Sequence, residues 1–230
     1  MKNFISDFNL LLLEIDEYYD FVGYIDKIET HKKEKIISSV GLEFIPTREL
    51  QKILRSKCFL LLYNLIESSV RNSILSVYDC VHDESLKFDQ ISEKLQKIWI
   101  KYKHKQLPNS DKNVQKWIKS LIEDVYNGSQ INLSKETINI SGNLDYDNIK
   151  KIVDTYGFYG TLSNSKSIEN SINKVKAERN LLAHGNKTFC QSGSIITFSD
   201  LISIKNNVTC FLKEYLTNVE IYIDNKKYKK

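Results

Sequence analysis

Cys58-Phe59-Leu60-Leu61-Leu62-Tyr63-Asn64-Leu65-Ile66 is apolar around nearly the whole circumference of a helix, with Asn64 the polar exception and Glu67 directly after it. A helix that is hydrophobic all round must be covered all round, so this stretch predicts the central helix of a bundle. Pro46-Thr47 opens it, because a threonine there can accept a backbone N–H as N-cap. The helix is expected over residues 48–80, and Cys58 within it reads as a buried hydrophobe.

Working outward, Phe8, Leu11, Leu12, Ile15, Tyr18, Tyr19 and Val22 recur at three- and four-residue steps and predict a first helix over residues 4–28. Residues 31–44 are Lys-rich and then apolar, which reads as a short helix before a loop. Asp89 or Ser92 starts a helix through Ile98, Trp99 and Tyr102. Leu107-Pro108-Asn109-Ser110 breaks the chain. Ser110 or Asp111 then caps a helix carrying Val114, Trp117, Ile118, Leu121, Ile122 and Val125, ended by Asn127-Gly128. Both tryptophans fall on apolar faces and read as core.

Ile131, Leu133, Ile138 and Ile140 alternate with polar residues, which predicts a small hairpin insertion over 130–144. A short helix over 147–156 stops at Gly157. Ser167 is expected to cap a helix reaching His184 and stopping at Gly185, with Glu169 in its first turn. Residues 186–197 read as a loop with an extended piece at 194–197. Ser199 is expected to cap the last long helix, to about residue 223, leaving 225–230 as a disordered basic tail.

The chain has 230 residues, 41% of them hydrophobic, enough for one substantial core and too few to demand two domains. Only 2 Pro and 8 Gly interrupt it, which favours an all-α bundle over a turn-rich β fold. The net charge of +4 permits nucleic-acid binding without demonstrating it. Cys58, Cys80, Cys190 and Cys210 form no CxxC pair and no zinc spacing, so they read as reduced thiols of a cytosolic protein, with no metal and no cofactor expected. His31, His82 and His104 share no metal spacing and read as exposed. Asp7, Glu14, Asp16 and Glu17 interrupt the first apolar stretch, and no window approaches the roughly 18 apolar residues of a membrane span, so a soluble, non-membrane protein is expected. Lys101, Lys103 and Lys105 with Tyr102 and His104 read as a solvated helix end, contact with RNA phosphates being the alternative.

Chemistry concentrates in Lys176-Ala-Glu-Arg179-Asn180-Leu-Leu-Ala-His184-Gly185-Asn186. At about 100° per residue, Asn180 and His184 lie about 40° apart and Arg179 about 140° from His184. Gly185 is a natural stop, so His184 sits at the last turn, where its ring can leave the helix surface and approach Arg179. Imidazole moves protons near neutral pH, and a guanidinium matches phosphate oxygens and stabilises a developing dianion. RNA brings its own nucleophile, the 2′-OH, so this set suits cleavage without a metal, leaving a 2′,3′-cyclic phosphate. On spacing alone, a His that merely complements the helix dipole fits as well.

Arg179-Asn180-Leu-Leu-Ala-His184 resembles the Arg-polar-x-x-x-His signature of the HEPN superfamily, and its flanks resemble the MAE-type HEPN ribonucleases. The matching features are Arg-Asn-x-x-Ala-His-Gly, then Phe189, an Asp200-Leu201 helix start and a final helix ending near Tyr222 or Tyr228. The helix containing Tyr63-Asn64-Leu-Ile-Glu67 is similar to the family's other characteristic helix, whose Glu faces the motif. The resemblance covers about residues 174–228, and 58–77 less closely.

It implies a HEPN-like helical bundle, a homodimer joining two motifs in one cleft, and metal-independent endoribonuclease activity as a toxin or antiviral defence effector, with an antitoxin or defence-system protein as partner. Arg179, Asn180 and His184 carry over as catalytic residues, and Glu67 with them, although Glu67 and Arg71 at i,i+4 also suit a plain helix salt bridge. A non-catalytic HEPN module binding RNA, a nucleotide or a protein is the alternative reading, and an antitoxin-like partner a third. The relatives paired with nucleotidyltransferase antitoxins carry a Tyr two residues after the His; Asn186 stands there, which argues against control by modification at that position.

Overall fold

The Thr47 hydroxyl accepts the Leu50 amide and starts a 36-residue helix, α2 (Arg48–Asp83), in the computed structural model, which describes residues 4–28, 32–138, 140 and 144–230. Its middle is sealed: Cys58, Phe59, Leu62, Tyr63 and Ile66 have no exposed surface. Full burial of such a side chain contributes about 1.5–3 kcal/mol, so this segment dominates the core. The cover comes from α1 (Phe4–Lys27), α6 (Lys166–Ala183), α7 (Phe189–Ser194) and α8 (Phe198–Asp224), all packed against α2. Lys205 on α8 reaches Asp16 on α1 at 2.5 Å and lies over the Tyr19 ring, closing the bundle on that side.

The remaining helices are α3 (Glu93–Lys105), capped by Ser92, α4 (Asp111–Tyr126), and α5 (Tyr146–Tyr156), capped by Asp145 and ended by Gly157 in the left-handed region. Trp99 is buried as expected, but Trp117 is only half-buried, because no described side chain of α4 is buried and Ile118, Ile122 and Val125 face out. Ser110 holds the cap position of α4 without a side-chain hydrogen bond. All four cysteines are free, with Cys58 and Cys80 buried. His82 and His104 are exposed, and His31 lies outside the described residues.

Further expectations need correction. The small antiparallel sheet lies at β1 (Ile36–Ile37) and β2 (Glu43–Phe44), where a short helix was expected. Ser38 and Leu42 close its turn by hydrogen bonds and Gly41 takes a positive φ of 79°. In contrast, no strand appears among the described residues of 130–144. Ile131, Leu133 and Ile140 are buried, so the alternation reports burial correctly, but Gln130 pairs with Lys87 and a 3₁₀ turn at Lys135–Thr137 occupies the middle.

The cap of α6 is Ser165 rather than Ser167, and that of α8 is Thr197 rather than Ser199. In α8 the Thr197 side chain accepts the Asp200 amide and the Asp200 carboxylate accepts the Thr197 amide, a reciprocal pair that outcompetes a serine two residues on. Residues 189–194, read as loop, form α7; Thr188 and Gln191 cap it reciprocally. Gly193 lets it lie on α2, since a Cβ there would fall 1.8 Å from the Lys52 carbonyl oxygen.

The basic end is docked rather than disordered. Tyr228 is buried and donates to Glu84 at 2.6 Å, Lys229 pairs with the same carboxylate, and the Tyr228 and Gln90 carbonyls accept amides of Ser92 and Lys230. Hydrogen bonds from Lys229 and then Tyr228 hold the Glu84 carboxyl at about 2, below its ordinary 4.5. A lowered carboxyl stabilises above its unfolded-state value, and that contribution is lost as pH falls through the folded value. The expected result is that protection of the 226–230 amides, taken relative to their intrinsic exchange rates, falls between pH 4.5 and 2, while Glu84→Gln protein shows little protection there at any pH.

Candidate active site at the end of helix α6

Helix α6 buries Ile168, Ile172, Val175 and Leu182. Arg179 follows Ile172 by seven residues and so returns to the same buried face one turn before the helix ends. There its guanidinium lies 4.4 Å over the ring of Tyr63, from α2, and donates to the Asn180 side-chain oxygen at 3.0 Å. An aromatic face holds a guanidinium by cation–π attraction, about 0.5–2 kcal/mol depending on desolvation.

Tyr63 is itself fixed: its ring is buried and its hydroxyl accepts the Leu144 amide at 3.2 Å. Burial pushes this phenol above its ordinary value; the Leu144 amide and the charges of Arg179 and Lys176 pull the other way, and Glu67 adds to the rise. It therefore serves as a neutral platform rather than a base.

His184 is the C-cap residue of α6, its amide bonded to the Asn180 carbonyl at 3.1 Å, with Gly185 next at φ 68°. The ring is exposed and has no hydrogen-bond partner among the described residues. The structure thus brings Arg179 to Asn180, half-buried at the helix edge, and leaves His184 free just beyond them. It does not join Arg179 to His184 by a hydrogen bond; the guanidinium turns to Tyr63 instead. Glu67 accepts from Arg71 at 2.5 Å, the helix salt bridge foreseen as its competing role.

Several residues that shape this site were given no role from the sequence. Glu178 is buried and accepts from Ser192 of α7 at 2.6 Å and from Lys187 at 3.0 Å through both oxygens. This clamp spans the residues just after His184 and ties them to α6 and α7. Lys176 pairs with Asp145 at 2.7 Å. Burial opposes the Asp145 charge, but the Lys176 bond and the Asn148 amide outweigh it and hold the carboxyl below its ordinary value. The one signal in the sequence was position: Glu178 and Lys176 lie on the same helix as the motif.

Among the described residues no three His, Cys, Asp or Glu side chains gather as a metal site, and no helix is long and apolar enough to cross a membrane. No curated protein and no solved structure matches this chain. The model of the HEPN_MAE_28990-like HEPN family, in contrast, matches residues 2–228. With a match over nearly its whole length, and a helical bundle that carries Arg179 and His184 at the end of one helix, the chain belongs to the HEPN_MAE_28990-like HEPN family.

Proposed function

We propose that this protein is a metal-independent endoribonuclease, acting as a toxin or antiviral defence effector. The observation that carries the reading is a guanidinium pre-positioned by Tyr63 and Asn180 in the last turn of the helix whose C-cap is the solvent-facing His184. His184 takes the proton of the ribose 2′-OH, which attacks the adjacent phosphorus. The P–O5′ bond breaks, and the 5′-oxygen leaves with a proton supplied by a second acid. Arg179 holds the charge that grows on the non-bridging oxygens, where a fixed donor is most effective. Asn180 keeps Arg179 aimed. Glu67, engaged with Arg71, acts on the electrostatics of the Tyr63 platform rather than on the substrate.

In a homodimer, two such helix ends would share one cleft, and the second His184 is the natural acid. A cognate antitoxin or defence-system protein would restrain the site. The test is incubation of the purified protein with total RNA in EDTA, with chemical identification of the ends. Cleavage with 2′,3′-cyclic phosphate ends is expected; intact RNA at saturating protein would defeat the proposal.

The platform makes a finer prediction. Tyr63→Phe keeps the ring and should retain kcat/KM within about threefold, whereas Tyr63→Leu removes the face under Arg179 and should lower it about tenfold. Both are compared at a temperature where circular dichroism shows them folded.

A second reading, a non-catalytic module that binds RNA, a nucleotide or a protein, draws support from the His184 ring having no orienting hydrogen bond among the described residues, since a catalytic base is ordinarily oriented by a third group. Saturable RNA binding with no new ends in the same assay would favour it.

A further inference from the structure

Away from α6, helices α2, α3 and α5 with Thr137, Ile138, Ile140 and Leu144 line a cavity of about 410 Å³, within the range of small-molecule sites. Its floor is aliphatic, built by Ile74, Ile98, Ile138, Ile140, Leu144 and Ile152. Lys101 and Lys105, one turn apart on α3, and Lys151 on α5 supply its charge, Asn148 and Thr155 of α5 add polar groups, and the described lining contains no carboxylate. None of the three ammonium groups has an ion pair or hydrogen bond among the described residues, and all three residues are exposed.

The wall also carries a chain of hydroxyls whose donors are all in use. Thr137 donates to the Ser134 carbonyl at 2.7 Å, so Tyr78 must donate to Thr137 at 2.6 Å, and Tyr156 to Tyr78 at 2.6 Å. Each hydroxyl has one proton, so these three have no donor left for a ligand. The Tyr102 hydroxyl points its proton at Glu136. An anionic group set against the isoleucine floor would be stranded among aliphatic carbons at a cost of several kcal/mol. At the mouth it would meet three ammonium groups in solvent.

The arrangement therefore selects both chemistry and orientation. We propose that this cavity is a binding site for a small amphiphilic organic anion, its apolar body against the isoleucine floor and its acidic group at the Lys101–Lys105–Lys151 rim. The proposal is independent of the nuclease reading. A polynucleotide fits less well, because its charges repeat along the chain while the aliphatic floor has nothing polar to offer.

The test is titration of the full chain with 8-anilinonaphthalene-1-sulfonate, a flat apolar body with one sulfonate, followed by fluorescence and calorimetry. One saturable site is expected. The triple variant Lys101→Ser, Lys105→Ser, Lys151→Ser should bind this probe at least tenfold more weakly. The same variant should bind the uncharged N-phenyl-1-naphthylamine as the parent does. All three positions are on the surface, so the variant is expected to fold, and its thermal midpoint checks this. A second variant, Ile118→Ser with Ile122→Ser, removes the exposed apolar face of α4 and should leave sulfonate binding unchanged. Absent or non-saturable binding, equal binding by the lysine variant, parallel loss of the neutral probe, or loss in the α4 variant would each overturn the proposal.

Discussion

Purified His184→Ala protein is expected to cleave RNA at least a hundredfold more slowly than the parent, with a thermal midpoint within about 1 °C of it. The two halves of this expectation have separate physical origins. A proton-transfer group in the transition state contributes about 10²–10⁴-fold. An exposed side chain with no partner contributes little to stability, within about 0.5 kcal/mol; His184 is such a side chain. Arg179→Ala should lose about 10²–10³-fold as well, for want of charge on the phosphate.

Its stability should fall slightly, by about 0.5–1 kcal/mol, because the guanidinium also rests on Tyr63. Arg179→Lys keeps the charge but not the planar fork and should recover only part of the rate. Assays on a defined RNA under single-turnover conditions, with melting curves on the same preparations, separate chemistry from folding. Undiminished cleavage by His184→Ala protein would end the nuclease assignment.

The largest stability effect is expected at Glu178. Its carboxylate is 9% exposed and its partner Lys187 20% exposed, so Glu178→Ala leaves a half-buried ammonium and the Ser192 hydroxyl without their acceptor. Breaking a buried pair from one side costs about 3–5 kcal/mol, and the partial exposure of Lys187 argues for the lower end. About 3 kcal/mol corresponds to a midpoint lower by roughly 6–12 °C in a chain of this size. The double variant Glu178→Ala, Lys187→Ala should recover part of the loss, since the uncompensated charge is gone. Amide exchange should rise first in residues 185–194. If the single and double variants melt together at the parent's midpoint, the clamp has no structural role.

What could be read from the sequence divides along a physical line. The central helix was legible because Cys58, Phe59, Leu62, Tyr63 and Ile66 leave no face for solvent. The motif helix and its stop were legible because Gly185 relieves the chain at φ 68°. Features set by partners far along the chain were not. Phe189-Cys-Gln-Ser-Gly-Ser has the composition of a loop, and becomes α7 because Gly193 allows it to lie against the Lys52 carbonyl. Glu178 beside Arg179 looks like any surface acid, and its burial depends on Lys187 and Ser192 arriving from the next segment. The basic end looks disordered until Glu84, 144 positions before Tyr228, is seen to receive it. Arg179 and His184 could be picked out from their spacing on one helix, but the platform under Arg179 is supplied by α2, which no spacing along α6 reveals.

The order in which the cover of α2 is assembled has a consequence for synthesis. Of the four helices packed on it, three begin after residue 165. A ribosome adding about 5–20 residues per second would leave the Cys58–Ile66 surface wet for several seconds after it emerges. During that interval the nascent chain is a client for any factor that shields greasy helices. Arg179 rests on a ring whose bundle closes only when Lys205 reaches Asp16, 189 positions away. Translation itself therefore delays assembly of the helix end until the last long helix has left the exit tunnel.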